Sequence, residues 1–212
     1  MAFNLEITKF FQINKVPRET INDLEQYKSL LLQSNKKFNL ISQNDEKIID
    51  QRHIIDSFQV IDLIDKNSKK CIDLGSGAGF PGLIVAIFMK SQNIELEVHL
   101  YEKSLMKSKF LEMVSNKLKL NTKIFSENVY NYKNLDTGSI TARAFKPADE
   151  IFKLIYNNFT KYKNLILFLG KNSKQIFLDT TKTWDFEYKE RMSITSRDSA
   201  IVNITKIEKK IE

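Results

Sequence analysis

The apolar and polar positions alternate between short, strand-like stretches and longer, helix-like ones over most of the chain. Strand-length apolar stretches lie at residues 69–74, 95–101, 122–125, 139–142 and 163–169. Apolar residues at helical spacing occupy residues 83–90, 104–118 and 148–159. This alternation predicts an α/β fold with a mostly parallel sheet and helices on both faces. Two late strands, near residues 183–190 and 199–207, follow each other directly and predict an antiparallel C-terminal edge.

The first part of the chain differs, because it lacks glycine and carries helical patterns around residues 18–35 and 45–66. We therefore predict a helical N-terminal extension, residues 1–66, packed on a core formed by residues 67–212. The boundary near Lys69 is interpreted as a change of topology and not as a division between independent folds.

Composition limits the class of protein. The chain is 42% hydrophobic and 28% charged, as in globular proteins. Its longest wholly apolar run, Leu83 to Met89, is too short for a membrane span, and the N-terminus lacks the apolar core of a signal peptide. The single cysteine, Cys71, suits a reducing compartment, so we expect a cytoplasmic protein and a core position for Cys71. His53 and His99 are far apart, and we expect no metal site.

Charge favours a polyanionic partner. The chain has 33 Lys and Arg against 26 Asp and Glu, a net charge of +7, and a pI near 9.3. A lysine-favouring composition on a solvated surface explains the excess equally well. Only five of these cations are arginines, so each arginine is more informative than any lysine.

The glycines are concentrated in one short segment. Four of the six fall within Gly75–Gly82, in the sequence GSGAGFPG, between a predicted strand that includes Asp73 and a predicted helix. Ligands of doubly wound sheets bind outside the carboxyl ends of the strands, where such a loop would lie. No Lys-Ser/Thr pair follows Gly82, which argues against a phosphate-binding P-loop.

The spacing within this loop favours S-adenosylmethionine (SAM). An acid two residues before G-x-G-x-G is typical of SAM-dependent methyltransferases, whereas a dinucleotide site has G-x-G-x-x-G. A nicotinamide enzyme is therefore disfavoured, and a turn without a ligand remains the alternative. The residues of the motif predicted to form the cofactor site are Asp73, Gly75, Ser76, Gly77 and Gly79. Asp73 would hold either the loop or the ammonium group of the ligand.

Three further residues are candidates for the same site. Glu102 follows the second predicted strand, where an acid can accept hydrogen bonds from ribose hydroxyls; alternatively, it favours the N-terminus of the next helix by its charge. Phe80 would either wall the methionine pocket or pack into the core. Arg143 ends the fourth predicted strand at the ligand edge, as a contact to SAM or substrate or as a strand-end salt bridge.

Five segments resemble one family, the bacterial 16S ribosomal RNA guanine-N7 methyltransferases RsmG, also called glucose-inhibited division protein B. The segments are FNLIS (38–42), RHIIDSF (52–58), DLGSGAGFPGL (73–83), KSKFL (107–111) and ARAFKP (142–147). The resemblance implies a class I, Rossmann-like SAM methyltransferase fold. It also implies methylation of N7 of guanine 527 in the 530 loop, with 16S RNA or the small ribosomal subunit as partner. We expect a monomer.

The resemblance also implies SAM contacts from Gly75, Phe80, Arg143 and the segment Asn128-Val129-Tyr130. The family usually has Arg and Glu where this chain has Asn128 and Tyr130, so we expect backbone contacts to the adenine there. Met106 and the order Gly170-Lys171 also depart from the family pattern.

Methylation at N7 needs no general base, because N7 already has an in-plane lone pair. The protein would align the reactants and manage charge, and Arg143 is our candidate catalytic residue. The predicted RNA-binding residues are His53, Lys107, Lys171 and Arg197. His53 and Asp56 are three residues apart, which on a helix puts them on one face. Methylation of another RNA, a protein or a small molecule stays open, as does a non-catalytic nucleotide- or RNA-binding module.

Overall fold

The fold is built on a seven-stranded sheet in our computed structural model, which describes residues 3–210. The strands are β1 (Lys70–Leu74), β2 (Glu97–Tyr101), β3 (Thr122–Phe125), β4 (Leu135–Asp136), β5 (Ser139–Arg143), β6 (Phe159–Lys161), β7 (Asn164–Leu169), β8 (Trp184–Met192) and β9 (Ala200–Lys209). The α-helices are α1 (Leu5–Ile13), α2 (Arg18–Phe38), α3 (Gln43–Lys47), α4 (Asp56–Phe58), α5 (Gly82–Ser91), α6 (Leu105–Leu118), α7 (Ala148–Asn158) and α8 (Lys171–Asp179). A π-helical turn covers Asp50–Ile55, and 3₁₀ turns cover Val129–Asn131 and Thr180–Lys182.

The strand order creates a crevice at the middle of the sheet. The order is β3-β2-β1-β5-β7-β9-β8, and the pairs from β3 to β7 are parallel. From β1 the chain moves outward to β3 and then returns to the other side of β1 as β5, so the topology switches between β1 and β5. β9 pairs antiparallel with both β7 and β8, which confirms the predicted C-terminal hairpin. Strands β4 and β6 form a separate two-stranded sheet that the sequence did not predict.

Helices cover both faces of the main sheet, as predicted. On one face, α1, α2, α5 and α6 contribute to one apolar cluster that includes Phe11, Leu24 and Leu83. On the other face, α7 and α8 contribute Phe152 and Phe177 to a second cluster. The first cluster joins residues from before and after residue 66, and the division of the chain there stays a prediction. Cys71 is buried in the core of β1.

The helix predicted over residues 45–66 is wrong in its continuity. Here α3, the π-turn and α4 succeed one another, and residues 59–63 form turns. Ile54, Ile55, Asp56 and Ser57 are all buried where the π-turn passes into α4. The wider π-turn changes the direction of these side chains, as such turns do at many functional sites. None of the helices between residues 3 and 210 combines the length and apolar character of a membrane span.

Candidate active site

A cavity of about 500 Å³ opens at the carboxyl ends of β1, β2 and β5, at the switch point of the sheet. Most of the residues that the sequence predicted for the site line it. They are His53, Gly75, Ser76, Gly77, Phe80, Glu102, Lys107, Asn128, Val129, Tyr130 and Arg143. Asp73 and Gly79 are not among the lining residues; Asp73 lies beneath the loop and Gly79 within its bend. The structure therefore gathers residues that are up to 90 positions apart in the chain (53 to 143).

The glycine loop turns in a way that requires its composition. Gly75, Gly77 and Gly79 have φ values of +68°, +57° and +106°, in the region that side chains other than glycine rarely adopt. At Gly75 an added Cβ would also collide with the ring of Phe145. Backbone can therefore line the cavity at Gly75 only because no side chain is present.

Asp73 anchors the loop to the sheet. Its Oδ1 accepts a hydrogen bond from Thr141 Oγ1 at 2.6 Å, and its Oδ2 accepts one from the backbone N–H of Gly82 at 3.2 Å. Burial raises the pKa of this carboxyl to about 6, against the opposing effect of these hydrogen bonds. Of its two predicted roles, these contacts match the one in which Asp73 holds the loop.

Glu102 fastens the other side of the loop. Its Oε2 accepts a hydrogen bond from the N–H of Gly77 at 2.9 Å, and its Oε1 accepts one from the N–H of Ser104 at 2.8 Å. Ser104 is the N-cap of α6, but its side chain does not make the capping bond. The buried carboxylate of Glu102 also lines the cavity, and each of its oxygens has a further lone pair for ligand hydroxyls.

Helix α2 supports the glycine loop through Tyr27, a residue that the sequence analysis did not single out. Tyr27 of α2 is fully buried and donates a hydrogen bond from its hydroxyl to the carbonyl of Ala78 at 2.7 Å. Its ring lies 5.5 Å from that of Phe80, centroid to centroid. Tyr27 had no sequence signal, since nothing local connects it to a loop some 50 residues later. Phe145, which covers Gly75, was inside the ARAFKP motif but received no role.

His53 lies against Phe80 and not against Asp56. The imidazole stacks on the Phe80 ring at 4.7 Å and 20°, and its Nε2 is 3.6 Å from Asp45 Oδ1. The predicted shared face of His53 and Asp56 is wrong, because the π-turn replaces regular helical spacing there. Burial, with the nearby cation Arg143, lowers the pKa of His53 to about 4. The ring is therefore neutral at pH 7.

Arg143 ends β5 with its guanidinium largely buried. Its Nη2 donates to the carbonyl oxygen of Arg52 at 2.5 Å and lies 3.2 Å from Asp56 Oδ2. The guanidinium also stands over the ring of Phe168, 5.5 Å from its centre. Burial lowers the pKa of Arg143, and the charge of Asp56 opposes that shift. Its Nη1 is buried and has no hydrogen-bond partner within residues 3–210. Both of the predicted roles, cavity contact and strand-end salt bridge, thus fit one position.

The segment after β3 forms a third wall. Asn128 caps the 3₁₀ turn by accepting a hydrogen bond on its side-chain oxygen from the N–H of Tyr130 at 3.3 Å, and Val129 is buried. The Tyr130 hydroxyl is buried with no partner in the described part of the chain. The lining residues that sequence reasoning missed are Ile41, Ala78, Tyr101, Lys103, Glu127, Ala144, Phe145 and Lys146.

Lys171 and Arg197 are separate from this cavity. Lys171 is the first residue of α8, and Arg197 is in the turn between β8 and β9; both are exposed. They stand beyond the Arg143 side of the site, and their predicted contact with RNA stays a prediction.

Solved structures with the same architecture include methyltransferases. A SAM-dependent O-methyltransferase from Thermotoga maritima superposes with a TM-score of 0.55 at 16% identity, covering 81% of this chain and 74% of that one. M. capricolum TrmK, in complex with S-adenosyl-homocysteine, superposes with a TM-score of 0.51 at 16% identity, covering 70% and 66%. At these identities the likeness concerns the fold, which is that of class I SAM methyltransferases, as predicted.

Sequence comparison identifies the family. The model of GidB, described as rRNA small subunit methyltransferase G, matches residues 20–205. A protein named Ribosomal RNA small subunit methyltransferase G from Pelagibacter ubique (strain HTCC1062) is 47% identical over 97% of this chain and 99% of its own length. Its namesake from Rickettsia rickettsii (strain Sheila Smith) is 35% identical over 93% and 100%. This chain belongs to the GidB family, the rRNA small subunit methyltransferases G.

Proposed function

We propose that this protein is a SAM-dependent methyltransferase that modifies N7 of a guanine in 16S ribosomal RNA, the one numbered 527 in the 530 loop. The observation that carries the proposal is the glycine-loop cavity at the switch point, in a chain of the GidB family. The position of the guanine follows from the resemblance of residues 38–147 to the guanine-N7 methyltransferases. The same proposal makes the protein a cytoplasmic monomer that acts on 16S RNA or on the small ribosomal subunit.

The residues around the cavity fit SAM. Its volume of about 500 Å³ lies in the range of small-molecule sites. Glu102 has lone pairs left for the ribose hydroxyls, and the backbone at Gly75 is open to the cavity. Val129 and Phe80 supply apolar walls. The Tyr130 hydroxyl, buried without a partner among the described residues, has a hydrogen bond to give.

The proposed chemistry asks for alignment, not for proton transfer. Bound SAM supplies a methyl group on a sulfonium sulfur, which the N7 lone pair accepts as the carbon–sulfur bond breaks. No side chain has to remove a proton, and the neutral His53 ring stays stacked on Phe80. The anchored loop and Glu102 fix the cofactor side of the cavity. Arg143, held by Asp56, fixes its other side, so the two reactants meet in one orientation.

RNA binding in this proposal is mainly electrostatic. Lys103, Lys107 and Lys146 line the cavity, and the whole chain carries a net charge of +7. Neutralising phosphates with lysines releases counterions, so affinity for 16S RNA should fall steeply as salt is raised.

Three measurements test the proposal. Isothermal titration should show SAM binding, and labelled SAM should transfer its methyl group to small subunits or naked 16S RNA from a strain that lacks the enzyme. Mapping by mass spectrometry should place the label on N7 of one guanine in the 530 loop. Transfer to another RNA, to protein or to a small molecule would contradict the substrate, and SAM binding without any transfer would contradict the activity.

A further inference from the structure

A second cavity of about 480 Å³ lies on the other side of Arg143. It shares Arg143 and Ala144 with the first cavity, so the two meet at the end of β5. Ala144 has φ +49°, an uncommon conformation for alanine, and such positions cluster where function constrains the chain. The first cavity is assigned above to the cofactor; this second one has no assigned role.

The lining of the second cavity is rich in hydroxyl groups. Ser193, Thr195, Ser196 and Ser199 approach it from the β8–β9 turn, and Ser173 approaches it from α8. Hydroxyls both donate and accept hydrogen bonds, which suits the edges of a nucleobase and a ribose. The cavity is therefore built for a polar ligand.

Arg143 lines both cavities and carries an unused donor. Its Nη2 is occupied by the carbonyl of Arg52 and by Asp56, whereas its buried Nη1 has no partner in residues 3–210. A buried donor without a partner is unfavourable, and an acceptor atom of a ligand would satisfy it. Arg143 therefore favours a ligand with a carbonyl or phosphate oxygen.

A hydrogen-bond network fixes Arg143 relative to the β8–β9 turn. Asp56 Oδ1 accepts from Gln59 Nε2 at 2.6 Å, from Ser193 Oγ at 2.9 Å and from Thr195 Oγ1 at 2.9 Å. The other oxygen of Asp56 faces Arg143. The carboxylate thus connects the floor of the second cavity to the guanidinium.

The rim of the second cavity carries positive charge. Lys171 lies between the lining residues Gly170 and Ser173, and Arg197 follows the lining residue Ser196. No side chain caps the N-terminus of α8 at Gly170, and helix N-termini attract phosphate groups. Cations and an uncapped helix end beside a hydroxyl-lined cavity are what the phosphate of a nucleotide requires.

We propose that the second cavity holds the target nucleotide of the RNA, with its phosphate near Lys171 and Arg197 and its base carbonyl accepting from Arg143 Nη1. The inference rests on the proposed function and deepens it. Guanine presents O6 as an acceptor beside N7, whereas adenine presents an N6 amino donor there. Arg143 accordingly accepts guanine, rejects adenine, and directs the N7 edge toward the first cavity.

Guanosine 5′-monophosphate tests the cavity without SAM or turnover. In nuclear magnetic resonance titrations it should shift amide signals of the β8–β9 turn and the start of α8, and adenosine 5′-monophosphate should bind at least tenfold more weakly. Ser199→Trp, which fills the cavity from its rim, should abolish binding. Shifts confined to the glycine loop, equal binding of both nucleotides, or no binding to the wild type would overturn the assignment.

Charge variants give an independent readout. Lys171→Glu and Arg197→Glu should each weaken nucleotide binding at least tenfold, while Lys182→Glu, in the 3₁₀ turn that follows α8, should change it less than twofold. Equal effects at all three positions would show that only the net charge of the protein matters, and would overturn the role of Lys171 and Arg197 in holding the phosphate.

The full substrate separates the two proposals. Ser199→Trp should lose methylation of small subunits while its affinity for SAM stays within twofold of wild type and its melting temperature is kept. Wild-type activity in this variant would overturn the inference and leave the proposed function intact. A wild-type enzyme without any methyl transfer would overturn the proposed function, and the nucleotide titrations would still decide the cavity. If Ser199→Trp fails to fold, the Lys171→Glu and Arg197→Glu variants decide.

Discussion

Replacing Tyr27 with phenylalanine tests whether the N-terminal helices hold the glycine loop. The substitution removes one oxygen atom and keeps the ring, which packs against Phe80 in the core. That oxygen donates at 2.7 Å to the carbonyl of Ala78, within the loop. Tyr27→Phe therefore separates the hydrogen bond from the packing.

The expected cost follows from burial. Tyr27 is fully buried and Ala78 is 5% exposed, so little water can replace the lost donor. Leaving a buried acceptor unsatisfied costs about 1–3 kcal/mol, a large part of the net stability of a domain, about 5–15 kcal/mol. The loop should also lose order at Ala78, which would weaken SAM binding up to about tenfold, or ~1.4 kcal/mol.

Urea unfolding and SAM titration measure the two effects. The matched control is Tyr156→Phe on α7, where the side chain is 57% exposed and the same atom is removed. Tyr27→Phe should lower the unfolding free energy by at least 1 kcal/mol more than the control, since exposed polar atoms exchange with water. Equal unfolding free energies and equal SAM affinities for the two variants would refute the anchoring role.

Three further substitutions test the site. Gly75→Ala should weaken SAM binding at least tenfold, because the residue has φ +68° and would meet Phe145; Gly170→Ala, where a Cβ comes no closer than 3.9 Å to another atom, should be tolerated. Glu102→Gln should weaken SAM binding in titration, because an amide nitrogen would replace one of the oxygens that accept from Gly77 and Ser104; unchanged affinity would contradict that role. In His53→Gln, the unfolding free energy should fall as pH rises from about 4 to 6, while the wild type stays nearly flat.

The sequence predicted the strands of the sheet because burial on both faces makes them continuously apolar. Strand β7 is the clearest case, since residues 163–169 were predicted and the observed strand, Asn164–Leu169, is buried at every position but one. Helix α8 was missed because Phe177 is its only buried residue between Lys171 and Asp179, too few to set a period. Helix α1 was missed for the same reason, with only Ile7 and Phe11 buried.

The site was predictable where backbone geometry dictates residue type. Left-handed conformations at Gly75 and Gly77 demand glycine, so the loop could be read directly from the sequence. Tyr27 was not predictable, because any buried helix can carry a tyrosine and only the tertiary fold brings this one to Ala78. The ion pair between Asp56 and Arg143 was not predicted. The sequence analysis paired Asp56 with His53 from the three-residue spacing of a regular helix, and the π-turn over Asp50–Ile55 does not keep that spacing.

Burial shifts the pKa values of two groups of the site in opposite directions, which accounts for the predicted pH dependence of stability in His53→Gln. Burial lowers the pKa of His53 from 6.5 to about 4, so the unfolded chain binds more protons in this window and stability rises with pH. Burial raises the pKa of Asp73 from 3.8 to about 6, so the folded chain binds more protons and stability falls with pH. Each effect is worth up to about 3 kcal/mol, and the two offset each other between pH 4 and 6. Without His53, only Asp73 contributes to the pH dependence, and the unfolding free energy falls as pH rises. If the unfolding free energy of the variant instead rose with pH between pH 4 and 6, burial would not be holding the Asp73 carboxyl in its protonated form.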